Sequence, residues 1–271
     1  MVASPEVAEH PLHGLINNAS LVLPPHSRTA EGFEVRVKAS GWTVASVGSL
    51  ALRRALFPQQ VTLGTNYLGP AYLTLKLLPL LRTSGAASDG PSRIVCVSTN
   101  VPHLFARGLR KHLLARNVGG CDATASGPEL YALSKAYNVL FARALHGRLA
   151  AQQATEQVQS FFTHPGFVSA TGQSKVQSLF SAALRLVAPL ALPTDRGAYS
   201  TLFACTALNL HSGSGFGPND LNRGLTNAWT PRGDLFASPG DAETLFAATC
   251  ALFRARGLSF QEPGCTPPAE G

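Results

Sequence analysis

Short apolar runs alternate with longer stretches in which apolar side chains return every three to four residues. That alternation predicts strand–helix–strand units built on a parallel sheet. His13–Ala19 (HGLINNA) reads as a strand running into a polar turn. From Asn66 to Leu81 (NYLGPAYLTLKLLPLL) the spacing predicts a helix that ends near the loop TSGAASDGPS. Arg93–Ser98 (RIVCVS) is an unbroken apolar run of the kind found in strands covered on both faces. Tyr131–Ala150 reads as a strong helix, with Leu133, Tyr137, Leu140, Phe141, Ala144 and Leu145 on one stripe. Val158–Thr163 is a further strand, closed by His164, Pro165 and Gly166. Ser178–Leu192 is apolar, carries Arg185 and ends in prolines; it reads as a buried helix, with a substrate lid or a shallow membrane contact as alternatives. Asp241–Arg256 predicts a last helix, Asp241 and Glu243 suiting its N-terminal dipole. With no internal repeat and no linker, residues 1–271 read as one α/β domain.

The candidate chemistry centres on Tyr131-Ala-Leu-Ser-Lys135 at the start of the long helix. Tyrosine and lysine four apart share a helical face. An ammonium beside a phenol favours the phenolate, which would make Tyr131 a usable acid/base near neutral pH. The strand RIVCVS delivers Ser98 and Thr99 at its carboxyl end, where open α/β sheets bind ligands. A hydroxyl there can donate to a substrate oxygen as it gains charge.

A Tyr-x-x-x-Lys pair alone is usually an ordinary helix-surface pair, so its company decides. NNAS (Asn17–Ser20) follows a strand, NYLG (Asn66–Gly69) opens a helix, VST ends a strand and HPGFV follows another. In this order the chain resembles the short-chain dehydrogenase/reductase family, and within it the retinol dehydrogenase-like branch. That branch is marked by an EGFE-type segment before NxLG, a long loop between strand serine and tyrosine, and an HPGxV turn. The resemblance runs from about His13 to about Leu258.

The resemblance implies a doubly wound, Rossmann-like sheet and a role for each matching residue. Tyr131 matches the acid/base that exchanges a proton with the alcohol or carbonyl oxygen while hydride moves to or from NADP or NAD. Lys135 matches the residue that tunes the phenol and holds the nicotinamide ribose. Asn66 matches the asparagine that supports a relay water. Thr99 stands where the substrate-polarising serine is usual, with Ser98 one residue before. Asn18 and Ala19 match the cofactor-lining NNAG motif, Ser20 replacing its glycine. Pro165, Gly166 and Val168 match the turn beside the nicotinamide amide. Where a phosphate-binding threonine is common the chain has Ala170, with Thr171 next to it. The implied substrate is a small apolar alcohol or carbonyl, ring- or polyene-like.

Two departures qualify this. Nothing before Asn17 offers a Gly-rich strand-to-helix turn to seat a pyrophosphate. The chain is therefore expected to lack the first strands, to leave HGLINNA as an exposed apolar edge, and to bind nicotinamide cofactor poorly. A non-catalytic binding or scaffold relative is the alternative to an oxidoreductase. Val35–Gln60 is the second departure, an insertion between EGFE and VTLGTNYLG. It reads as a surface insertion or as an intron translated in frame, since valine codons begin GT and one glutamine codon ends AG.

Composition narrows the remaining classes. Of 271 residues, 45% are hydrophobic and 14% charged, ample for a packed core. No stretch has the apolar length of a membrane span, and MVASPEVAEHPLHG lacks the pattern of a secretory signal. The expected location is intracellular, cytoplasmic or peripheral on an organelle membrane. Five cysteines without a C-x-x-C pair argue against a disulfide scaffold and a zinc ribbon, and are expected reduced. The eight histidines, His103, His112, His146 and His164 among them, contain no H-x-x-x-H pair, so no metal site is expected. His164 reads as fixing the turn before Pro165. The net charge of +7 owes much to Arg36, Lys38, Arg53 and Arg54 in a stretch without acids. The cluster Arg107, Arg110, Lys111 and Arg116 has no interleaved aromatics, and nucleic acid is not an expected partner. Pairing through long helices into a homodimer is a habit of the family only.

Overall fold

A computed structural model describes residues 11–21, 61–100, 118, 127–168, 191–218, 226–231, 236 and 238–263. The insertion 35–60, the EGFE segment, the basic cluster 107–116, Ala170, Thr171 and residues 178–190 lie outside the described residues.

Among the described residues, five strands form one sheet in the order β1 (Gly14–Asn17), β2 (Ser92–Val97), β3 (Val158–Thr163), β4 (Gly215–Pro218) and β5 (Thr226–Ala228). The first four are mutually parallel, Ile16 opposite Val95 and Val95 opposite Phe161, and β5 returns antiparallel to β4. A turn at Val61–Leu63 passes through a π-helical turn, Gly64–Leu68, into α1 (Gly69–Ala86). The helices α2 (Gly127–Ala151), α3 (Thr194–Thr206) and α4 (Pro239–Ala255) follow. This is the expected α/β architecture, a mostly parallel sheet flanked by helices.

All six residues of β2 are buried, as its unbroken apolar run requires. Because side chains alternate across a strand, Ile94 and Cys96 meet the α1, α2 and α4 layer, together with Phe162 of β3. Val95 faces the other way, into a smaller cluster with Phe161, Phe216 and Ala204 of α3. Arg93 is buried on that second side. Its guanidinium donates to the Ala204 carbonyl in the last turn of α3 (3.2 Å) and lies over the Phe161 ring. A cation suits that negative helix end.

The single stripe expected on α2 is wider than the pattern suggests. Leu130, Ala132, Ala136, Val139, Ala142 and Leu149 are buried with it, because α4 packs on α2 as well as the sheet. A helix buried on more than one face carries a weaker amphipathic signal. The strand expected at His13–Ala19 is shorter, and Ile16, 44% exposed, stands at the sheet edge. The last helix, expected at Asp241–Arg256, begins two residues earlier.

Three elements escape the sequence reading. Gly215 and Gly217 make β4 look like a loop, since glycine is poor in strands. Packing explains both: a Cβ at Gly215 would lie 2.1 Å from the Phe162 ring, and one at Gly217 would lie 1.9 Å from the His164 ring. The short strand β5 follows from β4. Helix α3 lacks a clean apolar stripe because Tyr199, Leu202 and Phe203 are exposed.

Candidate active site

The carboxyl ends of β1, β2 and β3 lie side by side. The segments leaving them, Asn18–Leu21, Ser98–Thr99 and His164–Val168, therefore share one rim of the sheet, against the first turns of α2. Asn18, Ala19 and Ser20 are exposed, Thr99 and Pro165–Val168 half-buried. Every expected site residue except Ala170 and Thr171 falls among the described residues.

Ser98 and Thr99 divide the roles that their sequence positions leave open. The Ser98 hydroxyl is buried and donates to the Lys135 carbonyl (2.7 Å), tying the strand end to α2. Thr99, one residue on, is the hydroxyl at the accessible rim.

Lys135 is 3% exposed. Its ammonium donates to the Val97 carbonyl (3.0 Å) and sits 5.9 Å from the centre of the Tyr131 ring. Asn138, three residues along α2, donates to the same carbonyl (3.1 Å). Burial lowers the Lys135 pKa to about 8, with the neighbouring Cys96 thiol acting weakly in the opposite sense. Burial likewise pushes the Tyr131 phenol above its ordinary value, partly offset by a hydrogen bond with the Ser20 side chain. The expectation of a phenol drawn down by the lysine thus meets a different balance. Desolvation dominates both groups, and the ammonium is directed at a backbone carbonyl.

Asn66 lies in the π-helical turn, a helical irregularity that often accompanies functional sites. Its side chain is almost fully buried and engaged at every polar position. Oδ1 accepts from the Leu21 N–H (2.8 Å), and Nδ2 donates to the Leu21 carbonyl (2.9 Å) and to Ser134 Oγ (3.0 Å). Ser134 in turn donates to the Tyr131 carbonyl (2.7 Å). Asn66 therefore staples the loop after β1 to the turn of α2 that bears Tyr131. The preceding Asn17, buried, donates to Thr74 of α1 (2.9 Å) and fixes the start of that loop.

On the third segment, Gly166 has φ 77°, a conformation that favours glycine. Its N–H donates to His164 Nδ1 (3.2 Å), and the His164 ring packs edge-on to Trp229, so the histidine fixes this turn as expected. Val168 bridges Leu192 and packs where Gly197 leaves room: a Cβ there would come within 2.5 Å of the valine.

Ser134 and Asn138 were not singled out from the sequence. The available signal was helical spacing, since they lie three residues beyond Tyr131 and Lys135 respectively. Cys96 and Cys250 are buried thiols and Cys205 is half-buried. Among the described residues no group of three or more His, Cys, Asp or Glu side chains gathers to hold a metal, and no helix is long and apolar enough to cross a membrane.

No family model matches the chain. It is 30% identical over 249 residues to retinol dehydrogenase 12 of Homo sapiens, a match covering 92% of this chain and 63% of that protein. To polyprenol dehydrogenase of Mus musculus it is 30% identical over 206 residues, 76% of this chain and 51% of that protein. The chain thus spans between half and two thirds of these relatives. Among solved structures, an uncharacterized protein from Mycobacterium paratuberculosis superposes with a TM-score of 0.58 at 24% identity, over 95% of this chain and 72% of its own.

Proposed function

We propose that this chain, a member of the short-chain dehydrogenase/reductase family, carries the catalytic half of a site that interconverts an apolar alcohol and its carbonyl with NADP or NAD. The observation that carries the reading is the join between β2 and α2: the Ser98–Lys135 bond holds Thr99, Lys135 and Tyr131 at one end of the sheet. A nicotinamide cofactor, when bound, supplies or takes the hydride. The exposed Asn18 and Ala19, together with Pro165, Gly166 and Val168, fit its nicotinamide end, since they flank Tyr131 at the same rim.

The chain's own residues manage the proton. The Tyr131 hydroxyl gives its proton to the oxygen of a carbonyl under reduction, and in the reverse direction its phenolate takes the proton of the alcohol. The Thr99 hydroxyl donates a hydrogen bond to that oxygen and favours its developing charge. Lys135 contributes a buried positive charge one turn from the phenol, and Asn66 keeps the rim loop in register. The names of the relatives, retinol and polyprenol dehydrogenases, favour an extended apolar alcohol and a peripheral contact with the membrane that dissolves it.

A second reading, a non-catalytic relative that binds without turnover, is favoured by one feature. The Lys135 ammonium is buried and engaged with the Val97 carbonyl. Incubation with NADPH or NADH and a polyene aldehyde separates the two. Aldehyde-dependent loss of nicotinamide absorbance, abolished by Tyr131→Phe, reduced at least tenfold by Thr99→Val and weakened to a lesser degree by Ser98→Ala, which loosens the join between β2 and α2, supports the oxidoreductase. Absence of turnover with the aldehyde still bound supports the second reading.

A further inference from the structure

We propose that Asn138 is a positioning residue for Lys135: it holds the Val97 carbonyl, so that the ammonium can leave that acceptor for a hydroxyl of a ligand at the rim, the ribose of the cofactor. The proposal deepens the functional reading above and rests on Lys135 being the cation of that site.

The Val97 carbonyl ends β2, just past the stretch paired with β1, whose last register sets Asn17 opposite Cys96. The following N–H on the β1 side, that of Asn18, turns back to the Ile16 carbonyl (3.1 Å). Val97 is buried, so its carbonyl needs donors from within the protein. Two side chains of α2 supply them, Lys135 Nζ at 3.0 Å and Asn138 Nδ2 at 3.1 Å. A carbonyl oxygen has two lone pairs and takes both. Either donor alone keeps it satisfied.

The two donors differ in reach. Asn138 is buried and short, and its amide belongs to this acceptor. Lys135 carries its ammonium on a flexible four-carbon stem, and Nζ already stands 5.9 Å from the centre of the Tyr131 ring. The base of that stem is fixed, because the Ser98 hydroxyl donates to the Lys135 carbonyl (2.7 Å). The ammonium can therefore exchange the Val97 carbonyl for a rim ligand by side-chain rotation alone. With Asn138 in place the carbonyl keeps a donor throughout. Without it, each departure orphans a buried acceptor, and the equilibrium moves about tenfold against release.

The test reads that departure in the whole chain. An amine-acylating reagent labels Lys135 only once its nitrogen has left the Val97 carbonyl, and Lys76, in an exposed contact with Ser259, is the internal reference. At one pH, peptide mass spectrometry of Asn138→Leu is expected to show Lys135 labelled about tenfold more slowly relative to Lys76. A substitution that merely loosened the fold would expose Lys135 and speed its labelling, so unchanged or faster labelling overturns the proposal. Urea unfolding of a double-mutant cycle is the second readout. The midpoint shift produced by Lys135→Met is expected to be less favourable in the Asn138→Leu background than in the parent, because the carbonyl then loses both donors; equal shifts overturn the proposal. Asn138→Ala, which adds no bulk, gives both measurements where Asn138→Leu does not fold. Neither readout needs cofactor or turnover. Slowed labelling in a chain without dehydrogenase activity would refute the catalytic reading and leave the exchange at Val97 standing, whereas turnover with unchanged labelling would do the reverse.

Discussion

Replacing Lys135 with methionine should make the protein more stable at neutral pH. The ammonium has an ordinary pKa of 10.5, lowered to about 8 in the fold, chiefly because burial disfavours its charge. At 1.36 kcal/mol per pKa unit, that gap corresponds to about 3 kcal/mol of folding free energy lost wherever both states carry the proton. Below about pH 8 both do, and the loss is constant. Between about pH 8 and 10.5 the folded chain sheds the proton before the unfolded one. Stability rises with pH through that window, and the loss vanishes above it. Methionine has similar length and no charge. The Val97 carbonyl it abandons keeps the Asn138 donor at 3.1 Å, so no orphaned acceptor offsets the gain. Subtracting about 1 kcal/mol for the lost hydrogen bond leaves Lys135→Met about 2 kcal/mol more stable at pH 7. Urea unfolding of both proteins from pH 7 to 10.5 measures the difference. The comparison cancels the alkaline titration of Tyr67, above its ordinary value, whereas Cys96, pushed up to about 11, is coupled to Lys135 and enters only near the top of the range. A variant no more stable than the parent at pH 7, or an advantage that persists undiminished at pH 10.5, would refute the argument that a desolvated charge is being held at this position.

Other substitutions probe the frame around the site. Gly85→Ala should cost about 2–3 kcal/mol in denaturant unfolding, because its methyl would lie 1.8 Å from the Gln157 carbonyl oxygen; unchanged stability would contradict that close approach. Tyr67→Phe should cost about 1 kcal/mol by removing the buried hydroxyl pair with Thr249 (2.6 Å), while Thr249 keeps its bond to the Leu245 carbonyl. A loss above about 3 kcal/mol would mean that the ring is displaced as well. Ile16→Lys should leave the melting temperature within a few degrees and reduce concentration-dependent light scattering, since Ile16 stands exposed on an edge strand. Scattering that does not change would mean that this edge takes no part in association.

The central strands and the helices on their better-covered face were legible in the sequence because each obeys a local rule. RIVCVS is buried throughout, and Tyr131–Ala150 repeats with helical period. The candidate site was legible for the same reason: Tyr131, Lys135, Ser98 and Thr99 sit where a strand end meets a helix start. What the pattern could not carry are properties set by partners distant in sequence. The glycines of β4 owe their places to the rings of Phe162 and His164, some fifty residues earlier. The separation of Ser98 from Thr99 depends on a carbonyl in α2. The balance at Tyr131 and Lys135 is governed by burial, and a spacing of four residues encodes the neighbour but not the loss of water around both.

Among the described residues the two faces of the sheet are unequally covered, and that inequality has a kinetic consequence. On one side α1, α2 and α4 bury a continuous core; on the other, among the described residues, α3 rests on Val95, Phe161 and Phe216, with Phe203 edge-on to Phe216 and Tyr199 and Leu202 in solvent. Opening fluctuations should therefore begin at α3 and release β4 and β5 while α2 stays shut. Backbone amides of α3 would exchange with deuterium first and those of α2 last. The turn from His164 to Val168 leans on α3 through Gly197, so one flank of the rim would loosen with every such opening while the Tyr131 flank stays rigid.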